Sequence, residues 1–355
     1  MTTDIRPRLV VVPGDFSGIG PELMVRLLAD SANRARADLL VTATPDEVRR
    51  LSAENSVDVP AEVACLGTQW AGESIPVGVV SEEAGKRALT DLGTALDLCA
   101  GGEADGVLFL PLNKAALGRA GMNEEDELRW FAKRLGHEGF TSELNFISSL
   151  VTARVTSHVP VSQIAHGIRA SRVLDTITLL DEVLRETRTA SPRIAVCALN
   201  PHGGEGGKFG REEIEDIAPA VELAQARGID VEGPFPCDTL FGRAMGGDYD
   251  GVVTMYHDQG QIAMKLLGFD QGVTVHGGLP IPIATPAHGT AHEIVGTGRA
   301  DLGPSQHAFD LAASMAAHRR SARGHAAATE AKTHTGLPAT ASAGAGSPGG
   351  GSHES

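Results

Sequence analysis

The chain has 355 residues, 42% of them apolar, and a mean hydropathy of −0.05, as expected of a globular protein large enough for two domains or one large α/β unit. Its 45 acidic against 30 basic residues leave a formal net charge of −15, which argues against nucleic acid or an anionic membrane as the main partner. No apolar run approaches membrane-spanning length, the N-terminus lacks a signal-peptide core, and the four scattered cysteines form no Cys-x-x-Cys pair, so a reducing, cytoplasmic location is expected.

Leu9 to Val12 reads as a short strand running into Gly14-Asp15-Phe-Ser-Gly18-Ile-Gly20-Pro21-Glu22, with a helix to about Leu28. Pro21 suits the first turn and Glu22 complements the positive helix end. Such a turn can receive an anion, but its spacing is not Gly-x-Gly-x-x-Gly, so a Rossmann fingerprint is absent. Asp38 to Ala43 is the next strand and Pro45 to Ser52 the next helix, while 53–80 is irregular. Ser81 caps a long helix in which Ala84, Leu89, Leu92, Ala95 and Leu98 recur at helical spacing. Gly106 to Leu110 is a buried strand delivering Asn113 and Lys114. Residues 123–135 read as a charged helix with Glu124, Glu125, Asp126 and Glu127 in a solvated first turn.

Three further strand-like runs each end in a histidine. Ser148 to Thr156 leads to His158, Arg193 to Leu199 to Asn200-Pro-His202, and Gly251 to Tyr256 to His257 and Asp258. Val159 to Leu184 and Arg211 to Arg227 are helical regions between them, and Gly233 to Phe241 is a proline-rigid loop presenting Asp238. After the prolines at 280 and 282, His288-Gly289-Thr290-Ala291 opens a short helix closed by Gly296. From Ser321 the composition shifts to Ala, Thr, Ser, Gly and Pro, predicting a disordered tail over 321–355.

Strands alternating with helices imply an α/β fold with a doubly wound sheet. Imidazoles at three strand ends suggest one shared site, where they would hold a divalent metal with positions left open. A hydroxyl bound there becomes more acidic and a carbonyl more polarised. Asp238 and Asp258 are the acid/base candidates. Alternatively, Asp238 is a turn residue bonding its own backbone, and Asp258 an orienting partner of a histidine. Lys114, Lys208 and Lys265 are placed to meet an anionic substrate, Lys265 foremost because it shares a segment with His257. The His288 turn could meet a phosphate, embrace an adenine, or be a loop fixed by its prolines.

Gly14 to Glu22, Asn200-Pro-His-Gly-Gly-Glu-Gly-Gly-Lys-Phe-Gly-Arg-Glu-Glu213, Asp238-Thr-Leu-Phe241 and Tyr256-His-Asp-Gln-Gly260 resemble the signatures of the 4-hydroxythreonine-4-phosphate dehydrogenases, in order, from about residue 8 to 317. The segment from His288 to Gly298 is similar to that family and to the isopropylmalate/isocitrate dehydrogenases. The resemblance implies two α/β/α domains with a central cleft, not a Rossmann fold: 1–122 plus 268–320, and 123–267. It implies a homodimer with the site at the interface, and His158, His202 and His257 as ligands of one Zn, Mg, Mn or Co ion, His257 coming from across the dimer. NAD or NADP would be held by His288, Gly289, Thr290 and Ala291 with Gly14 and Asp15. The implied reaction oxidises a secondary alcohol of a (phospho)hydroxy acid to a 3-keto acid that loses carbon dioxide. Asp238, Asp258 and Lys265 would be catalytic, and Lys265, Thr274 and Lys114 would contact substrate. Pyridoxine synthesis is the family's best-known role.

Two departures stand out. The family's Gly-His-Thr-Glu is replaced by Asn123-Glu-Glu-Asp-Glu-Leu128, and its arginine after the Gly-Leu-Pro turn by Ile283, with Thr274 standing for an asparagine. Losing an arginine fork removes bidentate charge-assisted bonds to a phosphate. Two other readings therefore accompany the main one: a dihydrodiol-carboxylate dehydrogenase of aromatic-acid catabolism, and a non-catalytic NAD- and acid-binding protein on the same fold.

Overall fold

A computed structural model describes residues 6–72, 74–268 and 271–334, with 326–334 described by backbone alone. Its strands fall into two groups. The ends of the chain supply β1 (Arg8–Val12), β2 (Asp38–Val41), β3 (Ala64–Cys65), β4 (Gly106–Phe109), β10 (Val273–Gly277) and β11 (Ile283–Pro286). The middle supplies β5 (Ser142–Phe146), β6 (Val151–Arg154), β7 (Ile194–Cys197), β8 (Val231–Phe235) and β9 (Gly251–Thr254). They join in one sheet ordered β3-β2-β1-β4-β11-β10-β5-β6-β9-β7-β8. The outer pairings are parallel, and the β11–β10, β10–β5 and β5–β6 pairings in the centre are antiparallel.

The helices are α1 (Gly20–Ala29), α2 (Ser31–Arg36), α3 (Pro45–Glu54), α4 (Glu82–Ala100), α5 (Lys114–Arg119) and α6 (Glu127–Arg134), then α7 (Ile164–Gly167), α8 (Ala170–Thr187), α9 (Ala218–Ala226), α10 (Cys237–Met245), α11 (His257–Gly268) and α12 (Gly303–His334). Strand alternation sorts them into layers. Leu9 and Val11, Leu108, Leu144, Ala153, Val196, Val253 and Val275 meet α1, α8, α9 and α12 in one apolar cluster that spans the sheet. Their neighbours face the other way and meet two separate clusters. Val10, Val12, Val107 and Phe109 pack with α4 and α6, and Ala195, Cys197 and Val252 with α10 and α11. The result is two α/β/α halves facing a central cleft, which opens where one of these clusters gives way to the other.

Local chemistry places the helix starts. Ser81 accepts from the Ala84 amide at 3.1 Å to cap α4, and Thr44 with Glu47 forms a reciprocal capping box on α3. Three expectations are corrected. The acidic run at 123–126 is not helical: Asp126 accepts from the Arg129 amide at 2.8 Å as the cap of α6, and it is buried rather than solvated. Asp238 lies in the first turn of α10, not in a loop, because the strand β8 occupies the proline segment before it. The expected disordered tail is helical from Ser321 to His334, as the end of α12. Alanine is the best helix former, and Arg323 and Arg320 both bond the buried Asp105 carboxylate, which ties that stretch to the start of β4. Residues 335–355 lie outside the described residues.

Candidate active site

The central cleft contains a cavity of about 410 Å³, in the range of small-molecule sites. Lys114 from α5, Glu127 from α6, His158 after β6, His257 and Gln261 from α11, and His288 and Gly289 after β11 form its walls. The rings of His158 and His257 stand 5.8 Å apart, centre to centre. His158 Nδ1 lies 3.0 Å from Glu125 Oε1 and 3.5 Å from Asp126 Oδ2. Among the described residues, Glu125, Asp126 and His158 form a group whose donor atoms all lie within 4.8 Å of one another. The acidic run before α6, expected to be solvated, therefore meets a histidine.

His257 opens α11, and its Nδ1 sits 2.6 Å from Asp258 Oδ1. Asp258 is thus a hydrogen-bonding partner of the His257 ring. Thr274 lines the cavity, its Oγ1 3.4 Å from Asn145 Oδ1, and Lys114 stands exposed at the rim, 4.0 Å from Glu127. His202, Asp238 and Lys265 do not line this cavity; all three are exposed, Lys265 about two helical turns beyond His257. The three histidines therefore do not converge within one chain. His202 sits in a run of left-handed backbone from His202 to Gly206, which is why four of the residues between 203 and 207 are glycines. Glu213 anchors the entry to that run by accepting from the Leu199 and Asn200 amides at 2.9 and 2.7 Å.

The loop from His288 to Ala291 is locked to the β1–α1 turn. The Ile19 amide donates to the Thr290 carbonyl at 3.0 Å, and a Cβ on Gly18 would come within 2.7 Å of Thr290. Asp15 is buried; its Oδ1 accepts from the Ser17 amide and hydroxyl at 2.8 and 2.6 Å, and Ser17 Oγ meets His292 Nε2 at 3.1 Å. Gly14 has φ +74°, and a Cβ there would lie 2.3 Å from the Leu110 carbonyl oxygen, so its glycine lets the ends of β1 and β4 close together. Gly14 and Asp15 lie under the loop rather than on the cavity wall.

Apart from Thr274, the sequence reading missed the floor. β10, β5 and β6 are adjacent, and their apolar positions enter the cluster on the far face. The intervening positions, Thr274 and His276, Glu143 and Asn145, and Arg154, line the cavity. Arg154 pairs with Glu143, and its Nε donates to Ser157 Oγ at 2.8 Å. Burial raises the Glu143 carboxyl, but the Arg154 guanidinium together with His276, His158 and Lys114 outweighs it and holds it below its ordinary value. Burial pushes the His276 imidazole down, toward the neutral form, between the rings of Phe109 and Phe131. Charged residues inside otherwise apolar strands were the available signal.

The model of the family described as pyridoxal phosphate biosynthetic protein PdxA matches residues 23–312. The chain is 47% identical over 331 residues to a 4-hydroxythreonine-4-phosphate dehydrogenase-like protein of Pseudomonas aeruginosa, covering 88% of this chain and 98% of that one. It is 36% identical to the D-threonate 4-phosphate dehydrogenase of Cupriavidus necator, over 89% of this chain and 99% of that one. Among solved structures, a 4-hydroxythreonine-4-phosphate dehydrogenase from Klebsiella pneumoniae superposes with a TM-score of 0.75 at 32% identity, over 89% of this chain and 99% of that one. With this match across the strands, loops and helices that build the cavity, the chain is an oxidoreductase that belongs to the PdxA family of dehydrogenases.

Proposed function

We propose that this chain uses a divalent metal and NAD or NADP to oxidise a secondary alcohol of a small hydroxy acid, giving a 3-keto acid that loses carbon dioxide. The observation that carries the reading is that His158, which lines the cavity together with His257 and the His288–Gly289 loop, also meets the Glu125 and Asp126 carboxylates. Imidazole nitrogens and carboxylate oxygens suit zinc, manganese or cobalt, and the carboxylates suit magnesium. When bound, such an ion makes an alcohol more acidic and a carbonyl more polarised. With Nδ1 engaged by Asp258, His257 keeps Nε2 for the ion. Lys114, at the rim, faces the substrate's carboxylate, and Thr274 offers a hydroxyl beside it. The loop at His288 to Ala291, held rigid by its bonds to the β1–α1 turn, supports the adenosine of the cofactor, which accepts a hydride.

The site is shared by two copies of the chain in this reading. His202, Asp238 and Lys265 stand outside the cavity of their own chain, so they serve the site of a second copy, His202 as the ligand from across the interface in place of His257. An apolar surface supports the pairing: on α11, Ile262 and Leu266 lie one turn apart and are 60% and 82% exposed. The division into 1–122 plus 268–320 and 123–267 falls between β10 and β5.

The test is formation of reduced nicotinamide by the metal-loaded protein, offered four-carbon hydroxy acids with and without a 4-phosphate and an aromatic cis-dihydrodiol acid. Turnover of at least one is expected, and His158→Ala should lower kcat/KM at least about 100-fold together with bound metal. Full turnover and full metal content in that variant would sink the mechanism. Binding of cofactor and acid with no reduced nicotinamide formed would place the chain among binding proteins.

A further inference from the structure

We propose that Cys197 and Cys237 form an oxidation-sensitive dithiol, at which a peroxide closes an intrachain disulfide between the end of β7 and the start of α10 and so slows the reaction proposed above. The two cysteines are far apart in sequence, and the fold brings them together. β7 and β8 run parallel with Cys197 opposite Phe235, and Pro236 then turns the chain so that Cys237 opens α10. Cys197 is fully buried. Cys237 packs against the same apolar cluster but stays partly exposed, so a molecule as small as peroxide can reach it. The Cys197 thiol donates a hydrogen bond to the Cys237 sulfur.

The pair is chemically asymmetric, as a reactive dithiol requires. The bond from Cys197 holds the Cys237 thiol below its ordinary value, against burial and the neighbouring Asp238 carboxylate, which push it up. The first turn of the nine-residue helix α10 favours a thiolate in the same sense. Cys197, the donor, is pushed up by that bond and by burial, and so keeps its proton. Cys65 gives the contrast: it too is partly exposed, but burial raises its thiol.

The Cys237 thiolate attacks one oxygen of hydrogen peroxide. A sulfur–oxygen bond forms, the oxygen–oxygen bond breaks, and the departing hydroxide takes up the proton that Cys237 released. Cys197 then attacks the sulfenic sulfur, and the sulfur–oxygen bond breaks as a second water leaves with the Cys197 proton. Two thiols are oxidised to one disulfide, and the peroxide is reduced to two waters.

The bridge lies where three segments with candidate site residues meet. Cys197 ends the strand that runs through Ala198 and Leu199 into the His202 loop, and Cys237 precedes Asp238. Tyr256, next to His257, is close to both: burial raises its phenol most, and Cys237, Asp258 and Cys197 add to the rise. Gln259 ties the same turn to β7 by donating to the Ala198 carbonyl at 2.8 Å. A disulfide holds its sulfurs about 2.0 Å apart, closer than a thiol hydrogen bond, so closing it draws α10 toward β7 and moves Asp238 and His202 relative to His257.

The test treats the full reduced chain with hydrogen peroxide, digests it without reduction and weighs the peptides. A loss of two hydrogens and a peptide joining Cys197 to Cys237 are expected, both reversed by dithiothreitol. Cys197→Ser should stop at a sulfenic acid that dimedone traps. In untreated wild type, iodoacetamide should label Cys237 at least about tenfold faster than Cys65, a comparison that needs no variant to fold. Equal labelling, no bridge, or a bridge to Cys65, to Cys99 or between copies overturns the inference. The dithiol stands apart from the dehydrogenase reading, and only the slowing rests on it. Bridged protein should turn over at least about tenfold more slowly an acid that the reduced protein oxidises, and recover on reduction. Unchanged turnover in fully bridged protein overturns the slowing. A bridge in a chain that oxidises no acid even when reduced would keep the dithiol and overturn the dehydrogenase reading, so the two fail separately.

Discussion

Arg87 is the residue on which the half built from the ends of the chain is tied together. It is 1% exposed in α4, donates from Nε to Asp91 at 2.6 Å and from Nη1 to Glu47 at 3.0 Å, and reaches the Thr42 carbonyl at 3.1 Å. Its guanidinium also lies 4.2 Å from the centre of the Phe16 ring, in the β1–α1 turn. Arg87→Met should cost about 3–5 kcal/mol, because it strands Asp91 and Glu47 without their counter-charge. Denaturant unfolding at neutral pH checks this. Burial raises the Asp91 carboxyl from 3.8 to about 6, the nearby guanidinium only partly opposing it. Between those values the folded chain holds a proton that the unfolded chain has released. Stability from this group is therefore present below about pH 4 and lost as pH rises through about 6. Asp91→Asn should flatten that part of a pH–stability profile, and an unchanged slope would show that Asp91 is ionised throughout. Helical spacing in the sequence located the buried face of α4 but suggested Leu89 and Leu98 for it. Both are only half-buried, while Arg87 and Asp91 are buried. A polar residue can enter a core face only when partners from other elements satisfy it, and those partners are distant in sequence.

At the scale of elements, α4 and α5 meet at Gly85, where an added Cβ would lie 2.0 Å from the Ala116 carbonyl oxygen. In an isolated helix, glycine to alanine stabilises by about 1 kcal/mol. Here the sign reverses. Gly85→Ala should destabilise by about 1–3 kcal/mol by forcing the helices apart, read as a lower denaturation midpoint. Stabilisation instead would mean that α5 yields freely. Most elements were legible from apolar runs, turn residues and caps, among them β1, β4, β9 and α4. Five strands were not: β5 and β10 alternate polar and apolar residues because one face lines the cavity, β8 and β11 each carry a proline, and β3 is two residues long. The helical end of α12 was missed because an alanine-rich stretch reads as low complexity until Asp105 is seen to pair with it.

For the whole molecule, the strongest prediction concerns sharing of the site. His158→Ala and His202→Ala should each be inactive alone. Mixed in equal amounts under subunit exchange, they should recover about a quarter of wild-type activity, because half the dimers then hold one intact site of two. No recovery, with exchange verified by mass, would mean that the ligands come from a single chain.

The sequence by itself determined the α/β class, the strand-terminal histidines and the motifs that resemble the dehydrogenase family. These are local: an apolar run, a turn residue or a motif is complete within a few neighbours. Only the tertiary structure decided that His158 meets Glu125, Asp126 and His257 while His202 stands apart, and that three central strands turn Glu143, Arg154 and His276 onto one face. Antiparallel register and the stacking order of strands set those meetings, and neither is written at any one position of the chain.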